Sequence, residues 1–269
     1  MTEALTILSG DCRESMRTLP EKSVHCCVTS PPYFGLRSYN GGDAEIGKEP
    51  TPDEYVAALV DVFREVRRVL RDDGVLFLNL GDRYNGSGGA GGDYGPGGIR
   101  EGQRKYKGCK VAGLKLKDLI GIPWRVAFAL QADGWWLRQD IIWHKPGQRR
   151  QNVKDRCTTS HEHLFVLTKA ALYWWDHTAE GNESSVWSIK TSRFRQGHFA
   201  TFPEELPRRC IMAGCPKDGI VLDPFMGAGT TALVALKAGR RAIGCELNPE
   251  YIEIANRRLK PLLTQGRLL

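Results

Sequence analysis

Two stretches near opposite ends of this chain hold residue types that could do chemistry. The first reads Thr29-Ser30-Pro31-Pro32-Tyr33-Phe34, directly after the apolar run Val24 to Val28. An apolar strand that ends this way places a hydroxyl, two rigid prolines and an aromatic ring at its carboxyl end, where open α/β sheets bind their ligands. The prolines fix φ and restrict the residue before each of them, so Ser30 and the Pro31 carbonyl point in defined directions. Tyr33 offers a flat face for a planar group. The arrangement suits gripping an amine on an aromatic ring. Taken alone, the hexapeptide also fits an ordinary proline-rich turn.

The second stretch reads Ile220-Val-Leu-Asp223-Pro224-Phe225-Met-Gly227-Ala-Gly229-Thr230-Thr231, with Glu246 at the end of the next apolar run. Strand, glycine turn, helix and then an acid on the neighbouring strand is an adenosine-binding design. The glycines admit close backbone approach, and the Glu246 carboxylate can accept from both ribose hydroxyls. Gly227-x-Gly229-x-x-Ala232 also satisfies the loose dinucleotide fingerprint, so glycine spacing alone does not separate NAD from other adenosine cofactors. Asp223 does. A carboxylate at that strand end repels a pyrophosphate and welcomes the ammonium of a methionine moiety, which favours S-adenosyl-L-methionine.

The elements that must position these groups follow from hydrophobic periodicity. Seven apolar runs read as buried strands: 5–8, 24–28, 75–80, 139–143, 164–167, 220–222 and 242–245. Helical patterns separate them, so a doubly wound, mostly parallel sheet is expected. The clearest helix opens at Thr51-Pro52-Asp53-Glu54 and runs through Leu70 until Asp73-Gly74. Others span 123–132, 230–237 and about 249–259. Two stretches do not fit this sheet. Residues 83–113 are rich in glycine and carry Arg104 and Lys105, as in a long mobile loop. The region 145–195 carries Arg149, Arg150, Arg193 and Arg195, and arginine pairs bidentately with base edges. Together with Arg37 these are candidate DNA contacts, although solvated basic faces would look alike.

The chain has 269 residues and a net charge of +7, long enough for a sizeable core and mildly suited to a polyanion. It shows neither an apolar run of membrane-spanning length nor a signal-peptide start, so a cytoplasmic protein without membrane partners is expected. The eight cysteines lie mostly in apolar runs, as in a reduced compartment. Cys157, His161 and His163 lack the second pair that a zinc site needs, and no metal is expected.

Ser30-Pro31-Pro32-Tyr33 and Asp223-Pro224-Phe225-x-Gly227-x-Gly229-Thr230-Thr231 together closely resemble the amino-methyltransferases of DNA, which methylate cytosine N4 or adenine N6. With the catalytic motif first and the cofactor motif last, the order resembles the permuted β class. The resemblance covers nearly the whole length. It implies one Rossmann-like methyltransferase domain over 1–269, a seven-stranded sheet with one antiparallel strand, and a small loop-rich recognition insert. The 83–113 and 145–195 regions would then serve target recognition.

The resemblance also assigns residues. Ser30, Pro31, Pro32 and Tyr33 would be catalytic. Asp223, Pro224, Phe225, Gly227, Gly229, Thr230, Thr231 and Glu246 would bind S-adenosyl-L-methionine. Asp11 and Cys12, in Ser9-Gly10-Asp11-Cys12, match the segment that contacts the cofactor adenine. His198, Phe199 and Thr201, in the segment ending at Pro203, match the approach to the methionine pocket. His161-Glu162-His163 sits where the family has a strand-borne motif near an extruded base. Ser30 favours cytosine N4, because adenine members usually carry Asp or Asn there; adenine N6 stands next. Implied partners are double-stranded DNA, a second copy of the chain in a homodimer, and a cognate restriction endonuclease.

Other readings compete. An NAD-linked oxidoreductase leaves Ser30–Tyr33 and Asp223 without a role. Methyltransferases of RNA or of protein amides are closer, but glutamine enzymes carry Asn before the two prolines. A non-catalytic DNA-binding module would not need an intact cofactor loop. Cytosine C5 chemistry needs a nucleophilic cysteine after proline, and no Pro-Cys dipeptide occurs. Cys26 and Cys27 read as core.

Overall fold

The computed structural model describes residues 3–35, 44–86, 110–147, 155–191 and 202–265. Among these residues eight strands form one sheet: β1 (Leu5–Ser9), β2 (Val24–Thr29), β3 (Leu70–Leu80), β4 (Trp136–His144), β5 (His161–Thr168), β6 (Val186–Ser188), β7 (Ile220–Asp223) and β8 (Arg241–Glu246). Their order is β1-β8-β7-β2-β3-β5-β4-β6. All neighbours pair in parallel except β5, which runs against both β3 and β4.

Each of the seven apolar runs is a strand. The eighth, β6, is too short to leave a periodic signal and brings the count from seven to eight. It lies with β5 in the 145–195 region, which therefore contributes two strands to the sheet.

Among the described residues six helices cover the sheet: α1 (Cys12–Arg17), α2 (Pro52–Val69), α3 (Ile122–Ala132), α4 (Glu205–Gly214), α5 (Thr230–Lys237) and α6 (Pro249–Gln265). Thr51 caps α2 as its sequence implies. Its hydroxyl accepts from the Glu54 amide while the Glu54 carboxylate accepts from the Thr51 amide, a reciprocal capping box. The helix stops before Leu70, which already pairs with Val24.

Side chains alternate across a strand, so the sheet's two faces carry two cores. On one face Cys27, Leu76 and Leu78 pack with Met16 of α1, Tyr55 and Phe63 of α2, and Leu130 of α3. On the other, Cys26, Val28 and Phe77 pack with Cys210 of α4, Val234 of α5 and Leu259 of α6. Cys26 and Cys27 are fully buried, and desolvation raises both thiols well above their ordinary range. They are core. Among the described residues no helix is long and apolar enough to cross a membrane.

Connectivity creates the crevice. From β2 the chain passes through α2 on one face to β3; from β7 it passes through α5 on the opposite face to β8. Between β7 and β2 the winding reverses, and the carboxyl ends of those strands open into a cleft. Strands distant in sequence become neighbours there, with Cys27 opposite Leu222.

Candidate active site

The cleft holds a cavity of about 370 Å³ that meets both motifs. Ser30, Pro31, Pro32 and Tyr33 line one part of it, and Pro224, Phe225, Gly227 and Glu246 another. Asp11 and Cys12, at the start of α1, join the second group.

The motif after β2 is held along its length. The Tyr55 hydroxyl donates to the Pro32 carbonyl at 2.9 Å, and the Arg83 guanidinium donates to the Phe34 and Gly35 carbonyls. Tyr33 lies over Gly81, where an added Cβ would stand 2.6 Å from the ring; any side chain there would displace the tyrosine. The Ser30 hydroxyl is 3.4 Å from the Tyr33 hydroxyl, long for an O–H···O bond. Its lone pairs remain available to a donor in the cavity. The Pro31 carbonyl accepts no hydrogen bond from the described residues.

On the other side, Glu246 organises the glycine turn. One of its carboxylate oxygens accepts from the Gly227 amide and the other from the Asn248 amide, each at 2.8 Å. Burial raises its carboxyl above the ordinary range, opposed by these amide bonds. Gly227 has φ +52° with open space where a Cβ would point, so the backbone itself faces the cavity. Gly229 (φ +77°) begins α5, and a Cβ there would press on Ala255 and Leu259. The Cys12 thiol is pushed up to about 12, mainly by burial, and presents a neutral surface.

The Asp223 carboxylate lies behind the turn, 3% exposed, and not in the cavity wall. One oxygen accepts from the Thr29 hydroxyl (2.6 Å) and the Phe225 amide (3.0 Å), and the other from the Thr231 hydroxyl (2.7 Å). It ties the catalytic strand to the cofactor loop. Thr230 and Thr231 are likewise buried behind the loop. The Thr230 hydroxyl accepts from Arg258 of α6.

Burial pushes Asp223 up to about 6, against the bonds from Thr29 and Thr231. The folded chain therefore holds this proton more tightly than the unfolded chain. The resulting stabilisation is complete below about pH 4 and is lost as pH rises through about 6. The swing is about 3 kcal/mol. Asp223→Asn keeps an acceptor for Thr29 and Phe225, and Thr231 can turn to the Val28 carbonyl at 3.3 Å. The stability of wild type relative to this variant should rise as pH falls from 7.5 to 5. Thermal unfolding at the two pH values checks this, and an unchanged difference refutes it.

Several lining residues escaped the motifs, among them Asn79, Trp143 and Lys145. Glu162, inside the His161-Glu162-His163 triplet, is the member that reaches the cavity. Period-2 alternation explains the choice, because His163 turns to the opposite face. There its Nδ1 lies 3.0 Å from an Asp140 carboxylate oxygen, and its ring stacks on Phe165. Arg37, Arg104, Lys105, Arg149, Arg150, Arg193 and Arg195 lie outside the described residues, as do His198, Phe199 and Thr201.

A family model described as DNA methylase (N6/N4 methyltransferase) matches residues 24–257. The chain belongs to this family. It is a DNA amino-methyltransferase. Its curated relatives include the Type II methyltransferases M.Cfr9I of Citrobacter freundii, 46% identical over 95% of this chain and 87% of the relative, and M.SmaI of Serratia marcescens, 44% identical over 94% and 90%. The fold of this DNA methylase matches TTHA0409 of Thermus thermophilus, solved complexed with S-adenosyl-L-methionine (TM-score 0.69, 25% identity, 96% and 94% coverage). It also matches the PvuII DNA methyltransferase (TM-score 0.72, 20% identity, 97% and 94% coverage).

Proposed function

We propose that this DNA methylase transfers the methyl group of S-adenosyl-L-methionine to the N4 amine of a cytosine extruded from duplex DNA. The observation that carries this reading is the adjacency of β2 and β7. It brings the Ser30 hydroxyl and the Gly227–Glu246 cradle to one cavity.

The residues fit the cofactor. The open backbone at Gly227 admits close approach, the Glu246 carboxylate faces the cavity for ribose hydroxyls, and Cys12 offers a neutral wall for a heterocycle. When bound, the cofactor supplies an electrophilic methyl on a sulfonium. The protein's part is to make the amine a nucleophile. An aromatic amine is poor at this because its lone pair is delocalised into the ring. Ser30 Oγ and the Pro31 carbonyl oxygen accept its two N–H bonds and draw the nitrogen towards tetrahedral geometry. Tyr33 stacks on the base. Stacking of about 1–3 kcal/mol offsets part of an extrusion cost of a few kcal/mol. No covalent enzyme intermediate is needed; positioning and electrostatic complementarity accelerate the transfer.

Cytosine is preferred over adenine because a serine, not an acid or amide, stands at position 30. The Type II relatives support DNA as substrate, and the proposed partner is a restriction endonuclease of the same site. Incubating the protein with labelled cofactor and mixed-sequence DNA, then separating the digested nucleosides, tests the reading. N4-methylcytosine is expected. Label confined to N6-methyladenine overturns the choice of base, and no label in DNA overturns the function.

A further inference from the structure

Glu162 and Lys145 form an ion pair in the wall of the cavity, with side chains 18% and 12% exposed, and the transfer chemistry uses neither. Taking such a pair out of water costs free energy that its mutual attraction need not repay, so a pair in this position calls for a role beyond stability. Its connections supply one. One Glu162 oxygen accepts from the Lys145 ammonium, and the other accepts from the Tyr33 hydroxyl at 2.8 Å. The Lys145 ammonium also lies 4.1 Å from the centroid of the Trp143 ring, in cation–π contact. Trp143 is itself fixed, since its indole N–H donates to the Ile189 carbonyl at 2.9 Å.

We propose that Glu162, held in place by Lys145, is a positioning residue that pins the hydroxyl end of Tyr33 and so sets the angle of the ring on which the target base stacks. This rests on the reading that Tyr33 stacks on that base. The prolines fix the backbone up to Tyr33 but not the rotation of its side chain. Packing on Gly81 limits that rotation, and a directional bond at the far end of the ring narrows it further. The charge state suits the task. Burial and the neighbouring carboxylate raise the phenol well above its ordinary range, so it stays a donor. The Asn79 amide oxygen, 3.2 Å from the phenol, is the more distant of two acceptors for its single proton, and the Asn79 amide nitrogen donates to the His163 carbonyl.

A double-mutant cycle on the full chain tests the proposal. Tyr33→Phe, Glu162→Leu and their combination are compared for kcat and KM on a duplex carrying the unmethylated target site. The same site with 2-aminopurine at the target position reports extrusion by fluorescence. Cofactor affinity and thermal unfolding serve as controls. A hydrogen bond to a charged group predicts a loss of about tenfold to a hundredfold in kcat for each single variant, with weaker 2-aminopurine emission. Cofactor affinity should stay within about threefold. The double variant should fall no more than about threefold below the worse single one, and Glu162→Gln should recover most activity through its amide oxygen. Losses that multiply overturn the proposal. So does a Tyr33→Phe enzyme with wild-type kcat and emission, which decides the matter even if Glu162→Leu does not fold. A wild-type protein that methylates no DNA would instead remove the functional reading beneath it.

Discussion

Ser30→Ala should lower kcat by about a hundredfold to a thousandfold while leaving cofactor affinity and folding unchanged. The scale is that of losing one preorganised hydrogen bond to a group whose charge develops in the transition state, about 3–4 kcal/mol. The geometry supports a large effect. Ser30 Oγ lines the cavity, and its nearest hydroxyl partner among the described residues is the distant Tyr33 oxygen. Little local structure depends on it. Alanine removes the acceptor without opening a void of consequence, and the Pro31 carbonyl stays in place. Single-turnover methyl transfer at saturating DNA and cofactor is the measurement. Turnover within a fewfold of wild type would deny Ser30 its role.

Glu246→Ala should act on the other half of the reaction. It removes the acceptor for the Gly227 and Asn248 amides and a residue of the cavity wall to which the proposed function gives the ribose hydroxyls. Hydrogen bonds to a charged group contribute about 1.5–3 kcal/mol each. Cofactor dissociation constants should therefore rise about a hundredfold or more, by calorimetric titration of S-adenosyl-L-methionine. Turnover at saturating cofactor should recover to within about tenfold of wild type. Glu246→Gln should not rescue fully, because its amide nitrogen would meet a backbone N–H, donor against donor. An unchanged dissociation constant in the alanine variant would mean that the cradle lies elsewhere.

The two predictions separate the halves of the cavity, and Asp223 joins them. Its carboxylate takes one threonine hydroxyl from the catalytic strand and one from the cofactor helix. The sequence suggested a ligand group at that position. In the structure that carboxylate is buried and accepts from two hydroxyls and an amide.

Much of the protein was legible in its sequence. Strands read as short apolar runs because most are covered on both faces, and α2 announced itself through Thr51, Pro52 and Glu54. The serine-proline-proline-tyrosine and glycine-turn motifs were visible because their chemistry is local: rigid φ at Pro31 and Pro32, positive φ at Gly227 and Gly229. Local constraints are written in adjacent residues.

What only tertiary structure decided depends on pairing between distant strands. The direction of β5 is such a case. Because it runs antiparallel, its first residues, not its last, arrive at the carboxyl ends of β3 and β4, and Trp143 comes to lie opposite Glu162. Alternation then sends Glu162 into the cavity and His163 away from it. The same long-range pairing sets β7 beside β2 and so brings the two motifs into one cleft. No local pattern encodes register or direction, which are fixed when the whole sheet closes over its two cores.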